Sequence, residues 1–493
     1  MTGTDQTGGD GIDRRRLLQA SGAGLVAALA GCSGGDGGGG DGGGGDGGDG
    51  GGGGDGGGGD GGGGSSEVHV LTDYTSQLWQ DRWENEVIPG FKEQHSDVKV
   101  NVEYTGMQGN AIQRLTTLLQ SGEAPNSFQS TGDPMAPMHM QGQTAPATDV
   151  ADWLEEQYGE ILHRNILEWD GETWAVPHGI YAEQPLNFRQ DIYDQLSLSV
   201  PETWDDLLSN AKAIDTDSDI SARGIGLAGG KVGKGGTDFE ILLATNDARL
   251  LQWKDEPGGP AEVMFPEEKV VETLSVMEQL AEYSIDPSSI SWGEALSMWA
   301  GGRMGQQLML NAWPAGVAAG AGNDEVAKNT DIAPPPINDG LSGEPTDRGF
   351  VKVDNATLFD TDGLAETKEF FKYLYKDEQS VVRNHAMEPA RFIPVYPTIL
   401  ENEDYKNIDV LSKYDNHIYE LNEKAVEIAD EYLGSEARVT DLQYAYLDRF
   451  PILNEMVNQV LIQGKNKSDA YSQARTRLED RLAEAQEKIG MDA

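Results

Sequence analysis

Apolar and polar residues follow two periods where the folded part of the chain begins. Val68, Val70 and Thr72 alternate along the chain as in a strand, as do Val98, Val100 and Val102, and residues 79–91 between them carry apolar side chains at helical spacing. A strand, a helix and a strand in this order predict a parallel βαβ unit. A second helix is predicted to follow near residues 115–121, so the pattern favours an α/β lobe.

The central stretch, residues 170–214, is predicted to carry the chain from one lobe to a second lobe. Two short apolar runs, 173–177 and 186–188, predict strands joined by a hinge. One helical turn is predicted after the second strand. Thr203 can then cap a new helix that begins with Trp204 and an acidic first turn.

The remaining elements are predicted from the same two periods. They are a strand at 224–227, helices at 267–283 and 292–299, a returning strand pair within 346–359, a helix at 364–375, an extended stretch at 391–397 and a closing helix at 468–489. The sequence shows neither an internal repeat nor a transmembrane segment after residue 32.

The first 32 residues have the features of an export signal. A basic segment precedes a short apolar stretch, residues 22–30, which is too short to span a bilayer. Arg14 and Arg15 lie in a run that resembles a twin-arginine motif, which implies export of a folded chain. Residues 29–32 resemble a lipobox, which implies cleavage before Cys32 and lipid attachment to its sulfur.

Residues 33–66 consist almost wholly of glycine and aspartate, and 32 of the 64 glycines fall within residues 1–66. Such a composition cannot bury a core. A glycine-rich coil of this length spans about 30 Å between its ends. We therefore predict a disordered tether that joins a lipid anchor to a domain at the extracellular face of the membrane.

The net charge is −47, from 83 acidic and 36 basic residues. Residues 1–66 hold nine Asp and three Arg, so the rest carries about −41. This charge excludes a nucleic acid partner, because it repels phosphates. It is typical of proteins that work in very high salt, where the Debye length is only ~3 Å, although an acidic protein from an ordinary host stays an alternative. The single cysteine excludes an intramolecular disulfide and a cysteine-based zinc site.

Several short motifs stand in a characteristic order. Asp170-Gly171, Trp174 and Val176-Pro177 are followed by Asn187 to Asp191 and then by Pro-Glu-Thr-Trp-Asp-Asp-Leu at 201–207. This succession resembles the maltose-binding-like family of extracellular solute-binding proteins of ABC importers.

Three other segments add to the resemblance: Ser121 to Pro125, Gly301 to Met304, and Asn311-Ala312-Trp313. The chain departs from the family at Phe188-Arg189-Gln190, where Tyr-Asn-Lys is more frequent, and at Asn126, where Asp is usual.

The resemblance implies a two-lobed α/β fold, of the periplasmic-binding-protein-like type II, with hinge crossings between the lobes. We expect residues 67–179 and 346–390 in lobe 1 and residues 180–345 and 391–493 in lobe 2. It also implies a monomer that binds a sugar or polyol without cofactor, metal or catalysis. Its partners would be an ABC permease and, through the lipid, the membrane.

Sugars present an apolar face and a rim of hydroxyls, so their sites combine aromatic rings with carboxylates and amides. By resemblance, Trp313 matches the sugar-stacking tryptophan of the family and is expected in a loop, with its ring facing the cleft. Tyr181 falls where the family places a ligand contact. The other candidates are Asp73, Tyr74 and Asp133, at the carboxyl ends of first-lobe strands, together with Glu183 and Trp292. Trp83, Trp204 and Trp299 are expected in cores.

Other chemistry has weaker support. Asp215, Asp217 and Asp219 have the first spacings of a calcium loop but lack its glycine and its bidentate glutamate. The glycine-rich run 229–236 lacks phosphate-loop spacing and is predicted to be a loop, and the methionines with His139 make a poor copper site. A tethered carbohydrate-active enzyme and a non-transport sensor or adhesin stay alternatives to a transport protein.

The charge leads to a prediction about salt. With about −41 on the folded part, thermal unfolding midpoints should rise steeply between ~0.1 M and ~2 M KCl, as screening weakens self-repulsion. Melting curves across this range test it. A midpoint that stays constant would remove the high-salt interpretation and leave the fold prediction untouched.

Overall fold

The structure is a computed structural model that describes residues 66–105, 109–130, 135–231, 233–254, 259–433, 442–448 and 451–491. The export signal with Arg14, Arg15 and Cys32, nearly all of the tether, and the candidate Asp133 lie outside the described residues.

Fourteen strands occur in the described part of the chain. They are β1 Ser66–Thr72, β2 Val98–Tyr104, β3 Ser127–Ser130, β4 Thr144–Ala145, β5 Glu168–Trp169, β6 Glu172–Thr173, β7 Ala175–Ala182, β8 Leu186–Arg189, β9 Leu251–Trp253, β10 Ala261–Val263, β11 Gln306–Leu308, β12 Thr330–Ala333, β13 Val351–Phe359 and β14 Ile393–Pro394.

Twenty-one α-helices accompany them in the same ranges. They are α1 Gln77–Arg82, α2 Ile88–Gln94, α3 Gly109–Ser121, α4 Met135–His139, α5 Thr148–Tyr158, α6 Gln190–Leu196, α7 Trp204–Thr216, α8 Lys234–Ala244, α9 Glu267–Ala281, α10 Trp292–Ala300, α11 Trp313–Gly320, α12 Asp324–Asn329, α13 Leu364–Leu374, α14 Glu378–His385, α15 Pro397–Leu400, α16 Glu403–Lys406, α17 Asp409–Ser412, α18 His417–Tyr432, α19 Leu442–Asp448, α20 Ile452–Leu461 and α21 Lys467–Lys488. A π-helical segment, Trp83–Val87, joins α1 to α2, and 3₁₀ turns lie at Arg164–Leu167 and Pro287–Ser289.

The strands form two main sheets. The larger has the order β14-β7-β13-β3-β1-β2, with β4 also paired to β13, and the smaller has the order β11-β8-β12. In the larger sheet β1 pairs in parallel with β2 and β3, whereas β13 is antiparallel to β3 and β7. This mixed α/β architecture confirms the predicted fold class.

The first βαβ unit forms as its periodicity predicts. The helical connection between β1 and β2 buries Trp79, Trp83 and Phe91, and the hydroxyl of Ser76 accepts a hydrogen bond from the Trp79 amide at its start. Burying an aromatic side chain of this kind contributes about 1.5–3 kcal/mol. The apolar face therefore fixes the helix on the sheet.

The chain passes from the larger to the smaller sheet at the predicted hinge. Strand β7 belongs to the larger sheet and β8 to the smaller, so residues 183–185 join the two. Gln184 adopts the left-handed conformation there, with φ 60°. The chain returns between β12 and β13, through residues 334–350.

The larger sheet includes residues that we expected in lobe 2. Strand β7 continues to Ala182, and β14, at 393–394, pairs with β7. The division of the chain into lobes after residues 179 and 390 stays a prediction.

Some local predictions are wrong. Residues 224–227 form isolated bridges rather than a strand, and Gly224 lies so close to α7 that an added Cβ would be 2.0 Å from the Ala211 carbonyl oxygen. The expected strand pair within 346–359 is one strand, β13, and only 393–394 of the extended stretch pairs.

Two predicted loops are partly helical. Trp313 begins α11, because Pro314 suits the first turn of a helix. The last three residues of the glycine-rich run belong to α8. No helix among the described residues is both long and apolar enough to cross a membrane.

The capping of α7 gives a test of the local fold. The Thr203 hydroxyl accepts a hydrogen bond from the Asp206 amide at 3.2 Å, and the Asp206 carboxylate accepts one from the Thr203 amide at 3.2 Å. Thr203→Ala should lower the free energy of unfolding by about 1 kcal/mol. Thr203→Ser, which keeps the hydroxyl, should stay close to wild type in urea titrations at high KCl. Equal losses in both variants would contradict the cap's contribution.

Candidate functional site

Most of the candidate residues meet where the two sheets adjoin. Asp73 and Tyr74 directly follow β1, Tyr181 is the penultimate residue of β7, and Glu183 lies in the crossing. With Trp313 they form an enclosed group, with exposures of 4, 3, 3, 2 and 8%. The expectation that the Trp313 ring faces an open cleft is therefore wrong for this structure.

A row of contacting side chains joins Trp313 to Tyr74. The guanidinium of Arg391 lies 4.5 Å from the ring centroid of Trp313 and 4.5 Å from that of Phe392. Phe392 in turn lies 5.3 Å from the ring of Tyr74. Cations over aromatic faces are attracted by the ring quadrupole, more strongly when water is excluded. Arg391 therefore covers one face of the candidate stacking ring.

Acidic side chains stabilise the positive charge of Arg391. Its Nη1 donates to Glu388 Oε2 at 2.7 Å. Burial opposes the charged guanidinium, yet the carboxylates of Glu388, Asp73 and Asp354 outweigh it and raise the pKa of Arg391. The site therefore contains a permanent, nearly desolvated cation that nearby acids stabilise.

Asn311 connects the segments that carry these residues. Its Oδ1 accepts a hydrogen bond from the Ala182 amide at 2.8 Å, and its Nδ2 donates to the Arg391 carbonyl at 2.8 Å. The residue is left-handed, with φ 40°, a conformation that asparagine tolerates better than most residues. Asn311 thus fixes Trp313, two residues later, against β7 and Arg391.

A glycine allows the segment with Arg391 to approach β7 closely. A Cβ added to Gly179 would lie 3.1 Å from both the Phe392 Cβ and the Ile393 carbonyl oxygen. These contacts are tighter than ordinary van der Waals contact, so a larger side chain would push Phe392 outward. The conformation of Gly179 is unremarkable, and its role is to leave space.

Strands β7 and β13 bring more charged groups to the same place. Lys352 pairs in register with Tyr181, and Asp354 with Gly179. Lys352 Nζ lies 3.9 Å from Glu183 Oε2. Burial raises the pKa of the Tyr181 hydroxyl well above its usual range, so this group stays protonated and can donate a hydrogen bond.

Trp292 lies at the start of α10, beside a different group. Lys234 Nζ is 6.0 Å from its ring centroid, and a Cβ added to Gly233 would lie 3.4 Å from its Cδ1. Its role as a ligand contact stays a prediction. Trp83, Trp204 and Trp299 are buried in the hydrophobic core, as predicted.

The weaker candidates have structural partners. Lys234 pairs with Asp238 one turn later in α8, and both side chains are almost wholly buried, so the lysine does not face a phosphate. Asp215 pairs with Arg223 at 2.5 Å. His139 Nδ1 lies 3.2 Å from the Thr144 hydroxyl. The described residues contain no group of three or more His, Cys, Asp or Glu side chains that could hold a metal.

The sequence analysis missed the roles of Arg391, Asp354 and Asn311. Two of them leave a signal in retrospect. Lys352 and Asp354 interrupt a buried valine-rich strand at alternate positions, and Arg391 stands alone in an apolar run. Charges at such positions indicate a polar face at a site rather than a solvated surface. Asn311 leaves no such signal.

Solved structures share the fold. A solute-binding protein of an ABC transporter from Thermotoga lettingae, bound with alpha-D-tagatose, is 16% identical with a TM-score of 0.65, and the match covers 85% of this chain and 99% of that one. The GacH receptor of Streptomyces glaucescens, solved without ligand and with acarbose, is 17% identical with a TM-score of 0.67 over the same shares. These similarities establish the two-lobed architecture of the periplasmic binding proteins.

Sequence comparisons give the family. An uncharacterized ABC transporter extracellular-binding protein of Pyrococcus horikoshii is 25% identical over 255 residues, which are 47% of this chain and 54% of that protein. The chain thus spans about half the length of this curated relative. The family model described as bacterial extracellular solute-binding protein matches residues 71–381. Since this match covers more than half of the sequence, the chain belongs to the family of bacterial extracellular solute-binding proteins.

Proposed function

We propose that the protein is the substrate-binding component of an ABC importer, which captures a sugar, an oligosaccharide or a related polyol and delivers it to a membrane permease. Family membership supports a solute-binding role. The ligands of the structural neighbours, tagatose for the Thermotoga protein and acarbose for GacH, support a hydroxyl-rich solute.

The arrangement around Trp313 carries this proposal. An aromatic ring, the protonated hydroxyl of Tyr181, the carboxyl groups of Asp73 and Asp354 and the Arg391 guanidinium meet where the two sheets adjoin. A ring with polar groups around it suits a molecule that has an apolar face and a rim of hydroxyls. The ligand would contact both lobes at once.

A ligand held in this way would favour the closed arrangement of the lobes. Closure gains free energy only from contacts that the open arrangement cannot make. The residues of the crossing, with Gln184 in a left-handed conformation, are the expected hinge. The closed monomer would then dock on the permease, without chemical change of the solute.

The N-terminal segment supports a location at the outer face of the membrane. We propose that Cys32 carries lipid after export and that residues 33–66 tether the binding domain to this anchor. At about 30 Å, a coil of that length lets the domain reach a permease in the same membrane.

Replacement of the stacking ring tests the proposed site. Trp313→Ala removes a rigid aromatic anchor, which costs roughly 2–4 kcal/mol at desolvated binding positions. At ~1.4 kcal/mol per tenfold, affinity for the bound glycan should fall about 30- to 1000-fold. Calorimetric titration with a glycan panel at high KCl measures this effect, and the glycans should be recovered intact.

Trp299 provides a matched control for stability. It is fully buried, and its Nε1 donates to the Thr330 hydroxyl at 3.0 Å. Trp299→Phe should lower the melting temperature and leave the affinity of the folded protein unchanged. Unchanged affinity in folded Trp313→Ala would contradict the stacking role. Turnover of a glycan, or failure of the wild type to bind any, would contradict the proposed function.

The anchor is tested by fractionation. Cys32→Ser should release the protein into the medium or leave the precursor uncleaved, because the sulfur that would carry the lipid is absent. Arg14 and Arg15 replaced together by lysine should block export, since lysine lacks the planar fork of arginine. Mass spectrometry of the membrane-bound protein gives the direct readout, and an unmodified Cys32 there would refute the anchor.

A further inference from the structure

Asp354 is a buried carboxyl group whose hydrogen-bonding capacity the described residues leave unused. It lies on β13, is 1% exposed, and neither of its oxygens meets a donor among the described residues. A buried polar group left unsatisfied costs free energy that an apolar side chain of similar size would not. Such a group is expected where a ligand supplies the missing donor.

The sheet register places this carboxyl at the candidate site. Lys352 is opposite Tyr181, and Asp354 is opposite Gly179. Residues directly opposite each other share a face, and residues two apart on one strand also share a face. The register shift comes only after Asp354, so its side chain leaves the sheet on the face that carries Tyr181 and Lys352.

Electrostatic coupling agrees with this placement. Burial raises the pKa of Asp354 well above its usual range, Arg391 opposes the shift, and Asp73 and Glu388 add to it. Asp354 therefore lies among the charged groups of the site rather than in the apolar core. Its own charge is disfavoured until a further positive group approaches.

The two cations near Asp354 already have acidic neighbours. Among the described residues of this group, Glu183 lies near Lys352 and Glu388 pairs with Arg391. Neither pair includes Asp354, so its carboxyl has no hydrogen-bonded cation of its own among the described residues. His178 adds no positive charge, because burial lowers its pKa well below the usual range.

Arg391 is poorly placed to neutralise Asp354 directly. Its Nη1 donates to Glu388, and its Cζ lies 4.5 Å from the ring centroids of both Trp313 and Phe392. The guanidinium thus lowers the electrostatic cost of Asp354 without donating a hydrogen bond to it. A donor from the ligand would complete the arrangement.

We propose that Asp354 binds a positively charged group of the ligand, so that the site prefers an amino sugar to the corresponding neutral sugar and rejects a uronate. This inference rests on the proposed function and names the solute class for the same site. An ammonium near Asp354 would supply the cation that this carboxyl lacks among the described residues and form a charge-assisted hydrogen bond with it. A uronate would instead place a second carboxylate beside the buried Asp354, where neither acid has a donor to share.

The test compares three glycans that differ in charge. Trimers of β-1,4-linked glucosamine and glucose, and a trimer of galacturonic acid, are titrated calorimetrically into the protein in about 2 M KCl, where screening limits attraction to the acidic surface. The glucosamine trimer should bind about tenfold or more tightly than the glucose trimer, as expected for a charge-assisted hydrogen bond. The galacturonate trimer should bind weakest.

Two variants with the same change of charge separate the site from the surface. Asp354→Asn removes the buried carboxylate and keeps its shape, and it should bring the ratio of glucosamine-trimer affinity to glucose-trimer affinity close to one, whatever its effect on the affinity for the glucose trimer. Asp360→Asn changes an exposed residue that directly follows β13, and it should leave the preference intact. Melting curves confirm that both variants fold.

The following outcomes would overturn the inference. Equal affinity of the wild type for the glucosamine and glucose trimers would refute it without any variant, and would leave the proposed function standing. A preference that survives Asp354→Asn, or that disappears equally in Asp360→Asn, would assign selectivity to the surface. Absence of binding for every glycan, at any charge, would contradict the proposed function itself.

Discussion

The hydrogen bonds of Asn311 are the constraint on which the rest of the site depends. One side chain accepts from the backbone of β7 and donates to the backbone of Arg391, 80 residues away. Trp313 follows two residues later, so its ring is held where the guanidinium of Arg391 covers it. Together with the pairing of β14 with β7, this connection holds three separate parts of the chain at one place.

The site is built from groups that are costly to bury. Arg391, Asp354 and Tyr181 are almost wholly buried, and their pKa values shift in directions that follow from burial and from one another's charge. Asp354 gains no hydrogen bond in return from the part of the chain that the structure describes. The cores that flank the junction must offset this cost, which is the usual relation between a binding site and the scaffold that carries it. A ligand that satisfies these groups would stabilise the protein by mass action.

Sequence patterns predicted the architecture because local periods decide it. The alternation around β1 and β2, the helical spacing between them and the Thr203 cap all reappear in the structure. The sequence patterns failed where the local structure depends on contacts of a single residue with distant segments. Residues 224–227 form isolated bridges where Gly224 packs against α7, and Trp313 is covered because Arg391 arrives from far along the chain.

The residues of the candidate site that lie in recognisable local patterns could be predicted, and those placed by distant contacts could not. Asp73 and Tyr74 follow a strand whose end could be located, and the motifs around Tyr181 and Trp313 could be recognised from their neighbours. Arg391 and Asn311 could not be assigned, since their roles depend on contacts between segments far apart in sequence. Asp354 left a periodic signal in β13, but the reason for a buried acid appears only when Arg391 and Asp73 are placed beside it.

The central claim is that a hydroxyl-rich solute binds between Trp313 and Asp354, where the two sheets adjoin. A crystal structure of the protein with the tightest-binding glycan of the panel tests it most directly. The account predicts a sugar ring against the indole of Trp313, with a donor of the ligand within hydrogen-bond distance of the Asp354 carboxylate. A glycan bound elsewhere on the protein, with both side chains in their present contacts, would contradict it.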